Sequence, residues 1–317
     1  MLRVVDLSKP ADERDAGVPS PPGVIVAQGS PTDEFWLETA TFTLTDEPCG
    51  DRRVVTVASV PEALADVTRR CRRWPQASAM CDDVLRALDP AGATLAGVLT
   101  ESLAYSTLQA GPEFARWLDD RGPAAVPGTA DAVLVERDED TLRIRFNRPH
   151  RHNAFSTDVR AALLEALSVA QLDPSVTGIV LSGNGPSFCS GGDLAEFGTF
   201  ADPVSAHFAR TRHSPALVLD ELRARLGREC RAEVHGRVLG SGLEMAAFCG
   251  WVVARPDSVF GLPELSLGLI PGAGGTVSIT RRIGRWRTAY LVLSGRTIDA
   301  ETALAWGLVD AISAVAG

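Results

Sequence analysis

The run Val234-His235-Gly236-Arg237-Val238-Leu239-Gly240-Ser241-Gly242-Leu243-Glu244 holds residue types suited to chemistry on an anion. A short strand ends at His235, a glycine-rich bend follows, and a helix starts near Ser241. A helix start leaves backbone N–H groups without partners and carries partial positive charge. Such an end can hold an oxygen on which negative charge develops. Glycine lets the backbone come close to a ligand. Glu244 adds a carboxylate in the first turn, and Phe260-Gly261-Leu262-Pro263-Glu264 adds a second, ahead of Gly268-Leu269-Ile270-Pro271-Gly272-Ala273-Gly274-Gly275-Thr276. Two carboxyl groups in different surroundings can divide acid and base work. A further glycine bend, Asn184-Gly185-Pro186-Ser187-Phe188-Cys189-Ser190-Gly191-Gly192-Asp193-Leu194, follows an apolar strand. Taken singly, each stretch also suits a tight turn with an acidic cap.

These residues need strands and helices to bring them together. Residues 1–34 read as a flexible tail, with Pro, Asp and Gly gathered in its first part. Strands are expected over 35–46 and 52–58, where Phe42 and Leu44 alternate with threonines and Val54-Val55-Thr56-Val57 is β-branched. Helices fill 60–122. Leu64, Val67, Cys71 and Trp74 share a face, Pro75 stops that helix, and Gly111-Pro112 and Gly122 punctuate the rest. The stretch 35–122 is thus strands plus a helical subdomain, 123–131 a Pro/Gly linker, and 132–317 a second unit. That unit has a hairpin over 132–137 and 142–147, a helix capped by Ser156, a buried strand over 177–183, and late helices near 276–293 and 299–306. Such alternation predicts an α/β arrangement. Residues 195–213 are polar and read as a mobile loop. In the polar run 228–234, strand alternation puts Arg231, Glu233 and His235 on one face. Arg231 and Glu233 are expected to pair, and His235 to be a hydrogen-bonded core histidine.

The 317 residues suffice for one large domain or two small ones, and a net charge of −9 argues against a nucleic-acid-coating surface. A local basic cluster, Arg143, Arg145, Arg148, Arg151 and His152, suits an anionic ligand or a solvated strand face. The cysteines (Cys49, Cys71, Cys81, Cys189, Cys230 and Cys249) show no metal-type spacing, which predicts reduced thiols in a cytoplasmic protein. No apolar run approaches the length of a membrane span, and the start lacks an apolar core of signal-peptide length.

Taken in order, the Asn184–Leu194 bend, the Val234–Glu244 bend and the Phe260–Thr276 segment resemble the enoyl-CoA hydratase/isomerase (crotonase) superfamily. Asn147, Arg148, Pro149, Asn153 and Ala154 match its Asn-Arg-Pro-x-x-x-Asn-Ala signature. The resemblance implies an α/β fold with a crotonase-like spiral core of ββα turns that binds acyl-CoA thioesters. Two backbone N–H groups hold the thioester oxygen, and by position they map to Gly192 and Ser241. Ser241 replaces the usual glycine, so its hydroxymethyl group narrows the hole or adds a donor. Glu244 and Glu264 stand at both positions that are acidic in hydratases. They imply attack of water on Cβ with help from a carboxylate, and proton delivery to Cα by a carboxylic acid. Hydration of a trans-2-enoyl-CoA to a 3-hydroxyacyl-CoA is the first expectation. Enoyl-CoA isomerisation, decarboxylation, thioester hydrolysis and a catalytically weak acyl-CoA-binding subunit are the alternatives.

The resemblance also assigns Arg148, Arg151, Asn153, Ala154, Ser190, Gly191 and Asp193 to the CoA side. The arginines would meet phosphates, the Ser190 and Gly191 backbones would face adenine, and Asp193 would brace its loop. Leu194–Phe200, Trp251 and the mobile loop are expected to wall the acyl pocket. Coenzyme A arrives with the substrate, with no separate cofactor or metal, and a homotrimer or dimer of trimers is the family's default. The family's helical tail normally follows its core. Here the core's last strand is read over 308–312, while Glu101–Leu108 and Pro112–Pro123 resemble the family's closing helices. The expected order is therefore a separate helical subdomain N-terminal to the core.

Overall fold

The computed structural model describes residues 2–9, 23–126, 128 and 130–313. The chain opens with four parallel strands lying side by side in order: β1 (Arg3–Asp6), β2 (Ile25–Gln28), β3 (Phe42–Thr45) and β4 (Val54–Thr56), with helix α1 (Glu34–Thr39) between β2 and β3. Ile25, Val26 and Ala27 are fully buried. Residues 2–9 and 23–34 are therefore not the flexible tail expected. The pairing of β1 with β2 joins short apolar runs separated by a polar stretch, so no local pattern announces it. The remainder of that tail, 1 and 10–22, lies outside the described residues. The strand expected over 35–46 is also divided. Asp33 accepts the Trp36 N–H at 3.2 Å and starts α1, which buries Trp36 and Leu37, and the strand begins only at Phe42.

Four helices follow: α2 (Val60–Arg73), α3 (Pro75–Ala87), α4 (Thr94–Gln109) and α5 (Pro112–Arg121). The Ser59 hydroxyl accepts from Glu62 N–H, and Pro61 sits in the first turn, where its missing N–H costs nothing. Among the described residues, 122–132 carry no helix or strand.

The rest of the chain runs β5 (Val133–Asp138), β6 (Thr141–Phe146), α6 (Thr157–Leu172), β7 (Gly178–Gly183), α7 (Pro203–Arg212), α8 (Pro215–Leu226), β8 (Cys230–Val234), β9 (Arg237–Leu239), α9 (Ser241–Phe248), β10 (Trp251–Ala254), β11 (Val259–Gly261), α10 (Gly275–Ser294), β12 (Ile298–Asp299), α11 (Ala300–Trp306) and β13 (Ala311–Ile312). Six strands form a sheet in the order β13-β10-β8-β7-β6-β5, parallel throughout except for the β5–β6 hairpin. A smaller sheet, β12-β11-β9, carries the chain from one bend of interest to the next. This is the mixed α/β arrangement that the alternation predicts. In β8, Cys230, Ala232 and Val234 are buried, while Arg231 and Glu233 pair at 3.1 Å on the more exposed face. His235 is half-buried and donates Nε2–H to the Gly185 carbonyl at 2.9 Å. It ties two loops together and is not the core histidine expected.

The polar stretch 195–213 is a helix over half its length. Asp202 accepts the Ser205 N–H at 2.8 Å, with Pro203 in the first turn of α7. Its polar residues are spent on α4: the His207 ring meets Ser102 Oγ at 2.9 Å, and Arg210 reaches Ser102, Ser106 and Gln109. A helix held by polar contacts leaves little apolar periodicity to read.

Helix α10 joins the two halves, packing against α9 on one side and α2, α3 and α4 on the other. A Cβ on Gly97 of α4 would lie 2.5 Å from Val277 Cγ2, so a glycine is what brings α4 against α10. This close approach delivers α4 to the functional cavity.

Candidate active site

The two glycine bends are fastened edge to edge. Cys189 N–H donates to the Arg237 carbonyl (3.1 Å), and Leu239 N–H to the Cys189 carbonyl (3.0 Å). Beyond that ladder, Phe155 N–H donates to Gly191 O at 2.8 Å and Asp193 N–H to Phe155 O at 2.9 Å. The N–H of Gly192 between them is left without an acceptor among the described residues. Across from it, Gly240 turns with φ 47°, and a side chain there would meet Glu264 Oε1 at 2.4 Å. Gly240 N–H is used by the Gly261 carbonyl, whereas Ser241 opens α9 and its N–H has no acceptor among the described residues. Gly192 and Ser241 line one cavity together with Glu244, Glu264, Tyr105, Gln109, Phe155, Arg160, Phe197 and Arg210. The Ser241 hydroxyl is buried with no partner among the described residues.

The carboxylates come from different elements. Glu244 lies in the first turn of α9, and Glu264 begins a short 3-10 turn after β11. A third, Glu101, comes from α4 and is 1% exposed. The N–H groups at the start of α10 are shared alternately by Glu244 and Glu101. Ala273 and Gly275 donate to Glu244 Oε2 at 2.7 and 2.8 Å. Gly274 donates to Glu101 Oε1 at 2.7 Å, and Thr276 donates to Oε2 through its N–H at 2.8 Å and its hydroxyl at 2.7 Å. Glu264 differs: its Oε2 is buried with no hydrogen-bond partner among the described residues.

Burial raises all three carboxyls. Glu264 is pushed up to about 8, with the Glu101 charge adding to burial. Glu101 rises to about 7, although the Thr276 and Gly274 groups pull it back. Glu244 is raised by burial and by repulsion from Glu101 and Glu264, opposed by the Ala273 and Gly275 N–H groups. Groups that bind protons more tightly folded than unfolded give stability that is complete below the unfolded value of 4.5 and lost as pH rises through 7 and 8. The melting temperature is therefore expected to fall between about pH 5 and pH 8.5, and the fall to shrink in Glu264→Gln. A wild-type melting temperature level across that window would contradict it.

The residues expected on the CoA side divide. Arg148 is 1% exposed; its Nη1 donates to Ala154 O at 2.7 Å and its Nη2 lies 3.0 Å from Asp193 Oδ2. It is closed off from any phosphate, which corrects the expectation from the sequence: the tight loop requires an internal cation. Asn153, at φ 54°, accepts Arg148 N–H (2.7 Å) and donates to the carbonyls of Asn184 and Ser187 (2.9 and 2.8 Å). Ala154 is likewise buried, with its carbonyl taken by Arg148. Asp193 is buried and braces its loop, holding Arg151 at 2.6 Å as well. Arg151 remains partly exposed, and half-buried Ser190 donates its N–H to the His152 carbonyl at 3.0 Å. Gly191 supplies the φ 95° turn beside Gly192.

Of the expected pocket wall, Glu196, Phe197, Gly198 and Phe200 line the cavity. Leu194 and Trp251 do not; Trp251 lies in β10 under the Arg228 guanidinium, 3.6 Å from the ring centre. The sequence reading missed Glu101, Tyr105 and Gln109. Their one sequence signal is the i, i+4, i+8 spacing, which puts the three on one face of α4. Arg160 was also missed, whereas Arg210 falls in the 195–213 stretch expected at the pocket wall, though not singled out there.

Comparison with known proteins covers this same region. Residues 136–316 match the family model for enoyl-CoA hydratase/isomerase. The chain is 36% identical over 186 residues to "Probable enoyl-CoA hydratase echA8" of Mycobacterium tuberculosis, spanning 58% of this chain and 69% of that protein. It is 32% identical over 190 residues to mevalonyl-coenzyme A hydratase SIDH of Beauveria bassiana, spanning 59% and 68% respectively. Among solved structures, the enoyl-CoA hydratase from Thermoplasma volcanium superposes with a TM-score of 0.50 at 33% identity, covering 58% of this chain and 72% of that one. With more than half of its residues inside that family model, and two facing glycine bends around a pair of buried glutamates, the chain belongs to the enoyl-CoA hydratase/isomerase family.

Proposed function

We propose that the chain hydrates trans-2-enoyl-CoA thioesters to 3-hydroxyacyl-CoA. The hydratase class rests on the family and on its hydratase relatives. The observation that carries the reading is one cavity with two unpaired N–H groups and two glutamates in unlike environments. The thioester oxygen takes the N–H groups of Gly192 and Ser241. Two donors in such a site strengthen as the oxygen gains charge. Glu244 Oε2 is occupied by Ala273 and Gly275, whose N–H groups oppose the upward push of burial and leave Oε1 for a water. Water oxygen bonds to Cβ as Glu244 takes its proton, and the C=C electrons move onto the thioester oxygen. Glu264 has no donor on Oε2 and keeps its proton at neutral pH, ready to deliver it to Cα. The reaction consumes one water, needs no oxidant, and takes coenzyme A only as part of the substrate. Loss of the conjugated enoyl absorbance with a short panel of trans-2-enoyl-CoA thioesters tests the reading. No loss at any chain length, in a protein that binds acyl-CoA, would move it to another reaction of the family.

We further propose that α2–α5 stand in for the helices that follow the core in the family, since α4 lines the cavity and α5 packs against the turn that carries Glu264. A homotrimer or dimer of trimers is the oligomer we propose. Its support is an exposed apolar stripe, Leu95, Leu99 and Leu103 on α4, with Val204 and Phe208 on α7 packed beside it. Light scattering is expected to give the trimer mass or a multiple, and Leu99→Glu with Leu103→Glu to lower it; a wild-type monomer would end that proposal. The unpaired cysteines suit a cytoplasmic setting, and a place in fatty acid metabolism follows from the proposed substrate.

A further inference from the structure

The cavity shared by the glycine bends and the glutamates is also lined by two arginines. Arg210 of α7 points its guanidinium there, held by neutral acceptors only: Gln109 Oε1 at 2.9 Å, Ser106 Oγ at 2.5 Å, Ser102 Oγ at 3.1 Å and the Ser102 carbonyl at 3.4 Å. It lies 4.3 Å from the Tyr105 ring centre. Arg160 of α6 is half-buried, its guanidinium 5.7 Å from the Phe155 ring centre and without an ion pair or hydrogen bond among the described residues. Both line the same cavity as the reactive glutamates.

Acidic groups nearby are already engaged. Glu101 spends both oxygens on Gly274 and Thr276. Glu196 Oε2 accepts Thr157 N–H at 2.8 Å and its hydroxyl at 3.0 Å. Asp193 holds Arg148 and Arg151. Burial makes it harder for both guanidiniums to hold their charge and brings Arg210 down to about 10, although Tyr105 and Glu101 pull Arg210 back and Glu196 pulls Arg160 back from a distance. Two desolvated cations with no carboxylate in direct contact are costly unless a ligand supplies one. Arginine is the residue best shaped to receive a carboxylate.

We propose that the acyl group of the substrate carries a carboxylate at its distal end, which Arg160 and Arg210 receive while the thioester oxygen lies against Gly192 and Ser241. The proposal rests on the acyl-CoA reading and narrows it to thioesters of dicarboxylic acids. A neutral acyl chain would leave both cations unpaired and bury them further.

Titration calorimetry on the full chain tests this without turnover. The probes are saturated diacid thioesters (succinyl-, glutaryl- and adipoyl-CoA), neutral thioesters of equal chain length, and free CoA. At least one diacid thioester is expected to bind about tenfold or more tightly than its neutral counterpart. Arg160→Gln should remove most of that preference, and Arg160→Lys should retain part of it, with free CoA unchanged in both. Because the Arg160 side chain makes no hydrogen bond among the described residues, these variants are expected to fold, which circular dichroism checks. Equal or tighter binding of the neutral thioesters overturns the proposal while leaving the acyl-CoA reading intact. So does an equal loss of free-CoA affinity in Arg160→Gln, which would assign that arginine to the nucleotide phosphates. Absence of binding by every thioester would overturn the acyl-CoA reading and this proposal with it.

Discussion

Turnover of a trans-2-enoyl-CoA by the Glu264→Gln variant is expected to fall about a thousandfold, with acyl-CoA affinity changed less than about threefold. The amide keeps the shape of the side chain and its place beside Gly240, where Glu264 Oε1 lies close enough to exclude a Cβ. What it lacks is a proton that can be given to Cα. The buried, unpartnered Oε2 makes this site well suited to an uncharged side chain, so folding should not suffer. Glu244→Gln should also abolish turnover, but with a structural penalty. Its Oε2 holds Ala273 and Gly275 N–H groups, and a mis-turned amide would oppose them with its own donors. The pair of variants thus separates proton delivery from loop support. Wild-type kcat in Glu264→Gln would remove that residue from the chemistry.

What could be read from the sequence follows how local each feature is. The bends holding Gly192 and Ser241 are short-range structures made by glycines at fixed places, and Glu244 and Glu264 sit within a few residues of them. Helices α2, α3, α5, α6 and α8 carry caps or prolines at their starts, so they too are written locally. Arg148 and Asp193 illustrate the opposite case. An arginine beside a ligand channel and an arginine neutralised inside a loop look the same in one dimension, and only the 3.0 Å pair distinguishes them. The β1–β2 pairing crosses a long polar segment, and α7 is held by polar contacts to a helix a hundred residues earlier. Glu101 reads as an ordinary helix residue until α4 is placed against α10.

That placement gives the second large expectation. Glu101→Ala should destabilise the protein by at least about 3 kcal/mol, because three buried donors, the N–H groups of Gly274 and Thr276 and the Thr276 hydroxyl, lose their acceptor together. The small side chain also leaves space where α4 meets α10. The loss should reach the chemistry as well, since the neighbouring N–H groups of the same segment, from Ala273 and Gly275, orient Glu244. Glu101→Gln separates the two effects. It retains an acceptor and roughly the volume, so more of the stability survives, while the negative charge that raises Glu244 disappears. The acid limb of kcat/KM, set by ionisation of the base, should then move to lower pH, a shift that a purely structural role for Glu101 would not produce. If Glu101→Ala melts within a degree or two of the wild type, the alternating carboxylate ladder is not what holds the start of α10. If Glu101→Gln leaves the acid limb in place, Glu101 supports the loop without tuning the base. If both shifts are observed, a residue from the N-terminal helices sets the protonation of a glutamate in the core, and the two halves of the chain form one catalytic unit.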